Sequence, residues 1–298
     1  MENHGGPRLT MMQKETRLGA LLLMPAIIVM LIVIAYPFIY SIIISFLRWH
    51  AVYPDHPWVG FTNYIKVITD SRFPITLRNT AIYALVGTAG KMIIGMILAL
   101  ILNKQFWGRG VVRGLFILPW IIPMVSAATT WRWMFAEDGV VNFLLQRLNI
   151  ISQPIIFLGD KQWALAAVLV VGIWKGYPLF MTMILAGLQN IPGELYEAAE
   201  VDGANGLQKF FYITIPSLRY VLITAIILSV IWTFNAFNVV WLMTKGGPSN
   251  STHILNTLAY EYGFVGMRYD YAAALAVMTL AILAVFLYFF AKLQKVEE

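Results

Sequence analysis

Between two long apolar runs, Trp163–Leu188 and Tyr220–Met243, lies the polar stretch Gln189-Asn-Ile-Pro-Gly-Glu-Leu-Tyr-Glu-Ala-Ala-Glu-Val-Asp-Gly-Ala-Asn-Gly-Leu-Gln-Lys-Phe-Phe-Tyr-Ile-Thr-Ile-Pro216. Each flanking run has the roughly 20 residues that cross a hydrocarbon core of about 30 Å as a helix. The stretch between them is therefore a surface hairpin joining two membrane spans, and its own pattern is that of folded structure. Pro192 and Gly193 open a short helix, with Glu194 in its first turn and Leu195, Ala198 and Ala199 on one face. Gly203 and Gly206 end it. Leu207, Phe210, Phe211 and Ile213 begin a second amphipathic segment, which Pro216 stops.

Working outward, four further apolar runs bring the spans to six: Leu18–Phe46, Thr80–Leu102, Leu115–Phe135, Trp163–Leu188, Tyr220–Met243 and Tyr271–Ala291. Composition agrees, since 59% of the 298 residues are hydrophobic and 12% charged, against roughly a quarter charged in soluble domains. A water-soluble globule and a disordered chain are both excluded, leaving an all-α membrane protein with six transmembrane helices. The first run follows Lys14 and Arg17 as a signal peptide would. It is far longer than an h-region of roughly 7–15 residues and has no small-x-small cleavage site, so it reads as a retained span. Residues 1–17 then form an N-terminal segment and residues 18–298 the transmembrane domain, with its hairpin at 189–216.

An even number of spans puts both termini on one side. That side carries ten basic residues in its segments against eight in the longer loops opposite, and Lys104, Arg109 and Arg113 crowd into one of its short connections. The positive-inside rule places it, and so both termini, in the cytoplasm.

The fifteen acids all lie outside the spans, and His4, His50, His56 and His253 lie in loops or near the surface. A self-sufficient secondary carrier is the main alternative for a chain of this shape. Ion coupling, however, generally needs a titratable carboxylate or histidine at membrane depth. Intramembrane proteolysis lacks its acid pair or His-Glu-x-x-His helix, and the chain has no cysteine. No residue is assigned a catalytic or metal-binding role. Gly87-Thr-Ala-Gly90-Lys91-Met92 lacks the spacing of a P-loop and sits in an apolar helix, so a nucleotide that drives the protein's work must bind another chain.

Three cations do fall within spans. Arg132, near a helix end, can snorkel to the surface. Lys91 and Lys175 are near mid-span, where a charge costs several kcal/mol unless it faces water, a carbonyl or a partner. Pro178 frees a carbonyl that could pair with Lys175, which suits structural glue and pathway lining equally.

The hairpin also carries a spacing pattern. Glu197-Ala198-Ala199-x-x-Asp202-Gly203-Ala204, then eight residues, then Ile213-x-Ile215-Pro216, resembles the EAA loop of permease subunits of binding-protein-dependent ABC importers. Ile215 replaces the more usual leucine. Tyr36-Pro37, Trp58-Val-Gly60-Phe61-x-Asn63-Tyr64, Trp174-Lys175 to Pro178, Ala186-Gly187-Leu188-Gln189-x-Ile191-Pro192 and Thr244-Lys-Gly246-Gly247-Pro248 extend the resemblance to carbohydrate importer permeases of the MalF/UgpA type. It runs nearly the whole length of the chain. The chain has neither the eight spans of the maltose subunit nor its large inserted periplasmic domain.

That resemblance implies the type I importer (MetI-like) fold in a bacterial or archaeal cytoplasmic membrane. It implies as partners a second homologous permease, two ATP-binding subunits that hold ATP and Mg2+, and an extracytoplasmic solute-binding protein received by the outer loops. Nucleic acid is not among them. Glu197, Ala198, Ala199, Asp202, Gly203, Ala204 and Pro216 would form the ATPase-coupling elbow. The implied cargo is a carbohydrate, which aromatic faces and amides bind well. Trp232, Asn235, Asn238 and Trp241 in the fifth span, together with Lys175, are the pathway candidates. Asn235 and Asn238 are three apart, with Trp232 one further turn along, so a continuous helix would put them on one face. Interhelical hydrogen bonding is the alternative role for the amides.

Overall fold

The computed structural model describes residues 11–234 and 236–295. The first span is a helix from α1 (Met11–Met30) through a π turn at Leu31–Ala35 into α2 (Tyr36–Ser45). After the short α3 (Thr62–Thr69) comes the long α4 (Arg72–Asn103). Next are α5 (Arg109–Ile121), α6 (Met124–Met134), the surface helix α7 (Val140–Arg147) and α8 (Ala164–Gln189). The hairpin is α9 (Gly193–Val201), α10 (Gly206–Lys209), a π turn and α11 (Ile215–Ser217). It leads into α12 (Arg219–Phe234), α13 (Asn238–Thr244), α14 (Leu255–Tyr260) and finally α15 (Tyr269–Lys295). Among the described residues, four helices are long and apolar enough to cross a membrane, and six spans result if each of two bent helix pairs counts as one.

Two of the expected spans are not simple rods. The third turns through 94° between α5 and α6. Pro119 and Pro123 explain the corner. Pro123 has no N–H for the Pro119 carbonyl four residues back, and its ring would collide with that carbonyl in a continuing helix. The fifth span, expected unbroken over Tyr220–Met243, stops at Phe234 and resumes at Asn238. The Ala236 N–H closes a turn on Thr233 O at 3.0 Å.

α4 and α8 run parallel and form the spine. Their approach is close because Gly95 faces α8, where an added Cβ would lie 2.6 Å from Phe180 Cβ and 2.8 Å from the Met181 backbone nitrogen. Around the spine lie Met96, Leu102, Phe180, Met181, Ile184, Leu185 and Leu218 on the hairpin side. Tyr83, Phe135, Phe157, Val168, Val171, Val240 and Ile254 fill the opposite half. A third cluster joins α3, α14 and α15 through Val67, Phe73, Leu255, Leu258 and Leu275. The first span packs on α15 through α2, and its most apolar stretch is not buried within the chain at all.

On the face opposite the hairpin, Arg72 holds the segments together. It grips Asp70 with Nε and Nη2, the latter at 2.8 Å, and reaches Glu261 with Nη1 at 2.8 Å. Tyr262 donates to Asp70 at 2.6 Å. The Arg72 guanidinium holds the Asp70 carboxyl well below the usual carboxylate range. His253, in a loop as expected but only 2% exposed, lies with Nε2 2.8 Å from Glu261 Oε2. Burial pushes its imidazole down, against the pull of Glu261.

Candidate functional site

The hairpin is built as a rigid piece. α9 ends in a Schellman motif: Gly203, at φ +76°, donates to Glu200 O at 3.0 Å, and Ala204 donates to Ala199 O at 2.8 Å. A side chain at Gly203 would force a residue with a Cβ into the left-handed region. The next helix starts on a reciprocal cap. Asn205 Oδ1 accepts from Gln208 N at 2.9 Å, and Asn205 N donates to Gln208 Oε1 at 2.7 Å. Lys209 Nζ bridges to Glu200 Oε1 at 2.6 Å and holds that exposed carboxyl below its ordinary value. The Tyr196 and Thr214 hydroxyls lie 3.0 Å apart and tie α9 to the π turn. From there the chain bends 67° into α12.

Glu197, Ala198, Asp202, Gly203 and Pro216 are exposed, while Ala199 and Ala204 are half-buried. Beside them the hairpin presents apolar side chains to the outside, including Val201 at 89% and Tyr212 at 79% exposure. Asn205, Tyr196 and Thr214 were missed by the sequence reading. The Asn205-x-x-Gln208 spacing is a capping signal that could have found the first.

The second constellation is in the middle of the bundle. Lys175 does not pair with a carbonyl freed by Pro178, as its sequence neighbourhood suggested. Its ammonium reaches across to the α5–α6 corner, donating to Pro119 O at 2.8 Å, Trp120 O at 3.0 Å and also Ile122 O. An ammonium has three donors, and the corner offers three stranded carbonyls at a helix C-terminus, where a cation is favoured. Lys91 projects from α4 toward α12, where its Nζ lies 3.3 Å from Ser229 Oγ. Thr88, one turn before it, shares the same serine at 2.9 Å. Both lysines line a cavity of ≈250 Å3 with Trp120, Trp232, Thr233 and Ala236.

The structure separates the other pathway candidates. Asn235 lies outside the described residues. Trp232 belongs to α12 and lines the lysine cavity, whereas Asn238 starts α13 across the break, so no continuous helix face joins them. Asn238 is exposed. Trp241 joins an aromatic group instead, with ring centroids 5.6 Å from Phe237 and 4.7 Å from Tyr260. Tyr260 in turn stacks on Phe264 at 4.8 Å. Phe237, Tyr260 and Phe264 line a second cavity of ≈510 Å3 beside α2 and α15.

Residues 91–295 match the family described as "Binding-protein-dependent transport system inner membrane component". The trehalose/maltose transport system permease protein MalF of Thermococcus litoralis is 34% identical over 274 residues, covering 92% of each chain. The sulfoquinovosyl glycerol transport system permease protein SmoG of Agrobacterium fabrum is 36% identical over 268 residues, covering 89% of this chain and 86% of its own. Among solved structures, a chain of a bacterial ABC transporter involved in importing the acidic polysaccharide alginate superposes with a TM-score of 0.82 at 24% identity. That match covers 95% of this chain and 96% of the other.

Proposed function

The chain belongs to the family of binding-protein-dependent transport system inner membrane components, and from that premise we propose that it is the permease subunit of an ATP-driven importer of carbohydrate. The observation that carries the coupling half of this reading is the hairpin. It is a capped, internally bonded elbow that leaves Glu197, Ala198, Asp202 and Gly203 outward at its tip. Small residues there allow another protein to approach closely, and Glu197 offers it an ionic contact. The elbow is continuous with α12, so displacing it displaces the helix that carries Trp232 and Thr233 into the central cavity.

We assign ATP and Mg2+ to two partner ATP-binding subunits that dock on this elbow, and we place the elbow and both termini in the cytoplasm. A second homologous permease completes the pathway, and a solute-binding protein delivers cargo to the opposite face. ATP binding would draw the elbows together and open the cavity outward; hydrolysis would reset it. Carbohydrate as cargo is supported by the names of the two relatives, one for neutral disaccharides and one for an acidic sugar derivative, and by the indole-lined cavity.

The test is affinity purification of the tagged chain from membranes, beside a variant carrying Glu197→Lys and Gly203→Val. Recovery of an ATP-binding subunit and a second permease, with loss of the ATP-binding subunit in the variant, is the expected result. Recovery of the chain alone in both cases overturns the reading in favour of a self-sufficient carrier.

A further inference from the structure

Lys91 and Lys175 share one cavity, but their ammonium groups are in different situations. The three donors of Lys175 are matched by three backbone carbonyls, so its place is explained by the corner it seals. Lys91 is 9% exposed, and among the described residues its ammonium makes a single hydrogen bond, to Ser229 Oγ at 3.3 Å. Ser229 is already engaged with Thr88 at 2.9 Å. Gly176 allows this placement, because a Cβ there would lie 2.8 Å from both Cδ and Cε of Lys91. The stem therefore passes over the bare backbone of α8 and brings the amine to the cavity wall, where two of its three donors have no protein acceptor among the described residues.

Among the described residues no carboxylate balances this charge. The described residues that line the cavity include two lysines and no acid, and the chain has no acidic residue within the hydrophobic part of any span. A cation at this depth with unfilled donors costs several kcal/mol unless something negative or strongly polar meets it. The same wall carries the indoles of Trp120 and Trp232, each about half exposed, which present flat faces suited to the C–H surface of a pyranose ring. A cation beside two stacking faces matches a sugar that bears an acid group.

We propose that Lys91, flanked by Trp120 and Trp232, is an anion-accepting subsite of the translocation pathway, and that the cargo is an acidic carbohydrate carrying a carboxylate or sulfonate. This rests on the carbohydrate-importer reading, narrows its substrate class, and gives Lys91 direct contact with the cargo.

The experiment uses the whole importer, this chain with its permease partner, ATP-binding subunits and solute-binding protein, in ATP-loaded proteoliposomes. The probe is a mixture of oligosaccharides from partial hydrolysis of starch, cellulose, pectin, alginate and a sulfonated glycolipid fraction, and internalised material is identified by mass. ATP-dependent uptake of acidic species is expected. Lys91→Gln should then lower their uptake by about tenfold or more, the worth of one charge-assisted hydrogen bond. Uptake of neutral species alone overturns the acidic assignment and leaves the importer reading standing. Uptake of acidic species that Lys91→Gln leaves unchanged, in an importer that assembles normally, overturns the role of Lys91. ATP-dependent uptake of no saccharide at all overturns the carbohydrate reading, and this inference with it. The unaltered importer answers the question of cargo charge even if Lys91→Gln fails to assemble.

Discussion

Lys175 shows what a single side chain can and cannot reveal in sequence. Its position at mid-span demanded a partner, but the carbonyl that its neighbourhood offered was the one freed by Pro178, and the ammonium instead meets the α5–α6 corner. Which lysine would meet which carbonyl was illegible, because the two lie more than fifty residues apart and only packing brings them together. Lys175→Met strips three carbonyls of their donor at membrane depth. It should destabilise the solubilised chain by about 2–4 kcal/mol, visible as a lower midpoint in thermal unfolding followed by fluorescence; an unchanged midpoint would contradict the sealing role. At the opposite face, Asp70 has a depressed folded-state value. Its contribution to stability is therefore complete above the ordinary carboxylate value of roughly pH 4 and is lost as pH falls from there toward the folded-state value. The protection of amides in residues 254–268 against exchange, taken relative to the intrinsic rate at each pH, should fall below about pH 4 in the wild type, and Asp70→Asn should show that lower protection already at neutral pH.

Among elements, the hairpin was the most legible because its signals are local. Pro192, Gly193 and Glu194 mark one helix start, and Gly203 marks its end at a left-handed φ of +76°. The fifth span was the least legible. Nothing in Phe234-Asn-Ala-Phe-Asn238 is a proline or glycine, so the hydrophobic run concealed the break between α12 and α13. At Gly203 a β-branched side chain costs about 1–2 kcal/mol in the left-handed region, which loosens the elbow without touching the bundle. Gly203→Val alone should leave the amount of chain in the membrane unchanged while weakening capture of the ATP-binding subunit. Tyr196→Phe removes the 3.0 Å tie to Thr214. It should lower the solute moved per ATP hydrolysed while leaving docking intact, and an unchanged ratio would show that the tie transmits nothing.

At the scale of the whole molecule, the parallel α4–α8 pair carries the two central clusters of the core; α5, α12 and α13 pack against it, while the first and last spans pack on each other through α2 and α15. Six apolar runs could be counted in the sequence, but their lateral order could not, since hydropathy gives length and depth and says nothing of neighbours. Gly95→Val tests the spine. The added atoms meet Phe180 Cβ and the α8 backbone, which cannot rotate away, so overpacking should cost about 1–3 kcal/mol and lower the yield of folded chain. Gly110→Ala, with nothing within 4 Å of its new Cβ, serves as the neutral control.

The corner at Ile122–Pro123 also fixes an order of events during synthesis. Its carbonyls and the lysine that satisfies them are 53 to 56 residues apart along the chain. While residues 109–134 are leaving the ribosome, Lys175 has not yet been translated. The third span must therefore wait in the translocon or in lipid with its corner unsealed, and it takes its final shape only when α8 arrives beside it. A ribosome stalled just before residue 175 would hold the chain in that unsealed state.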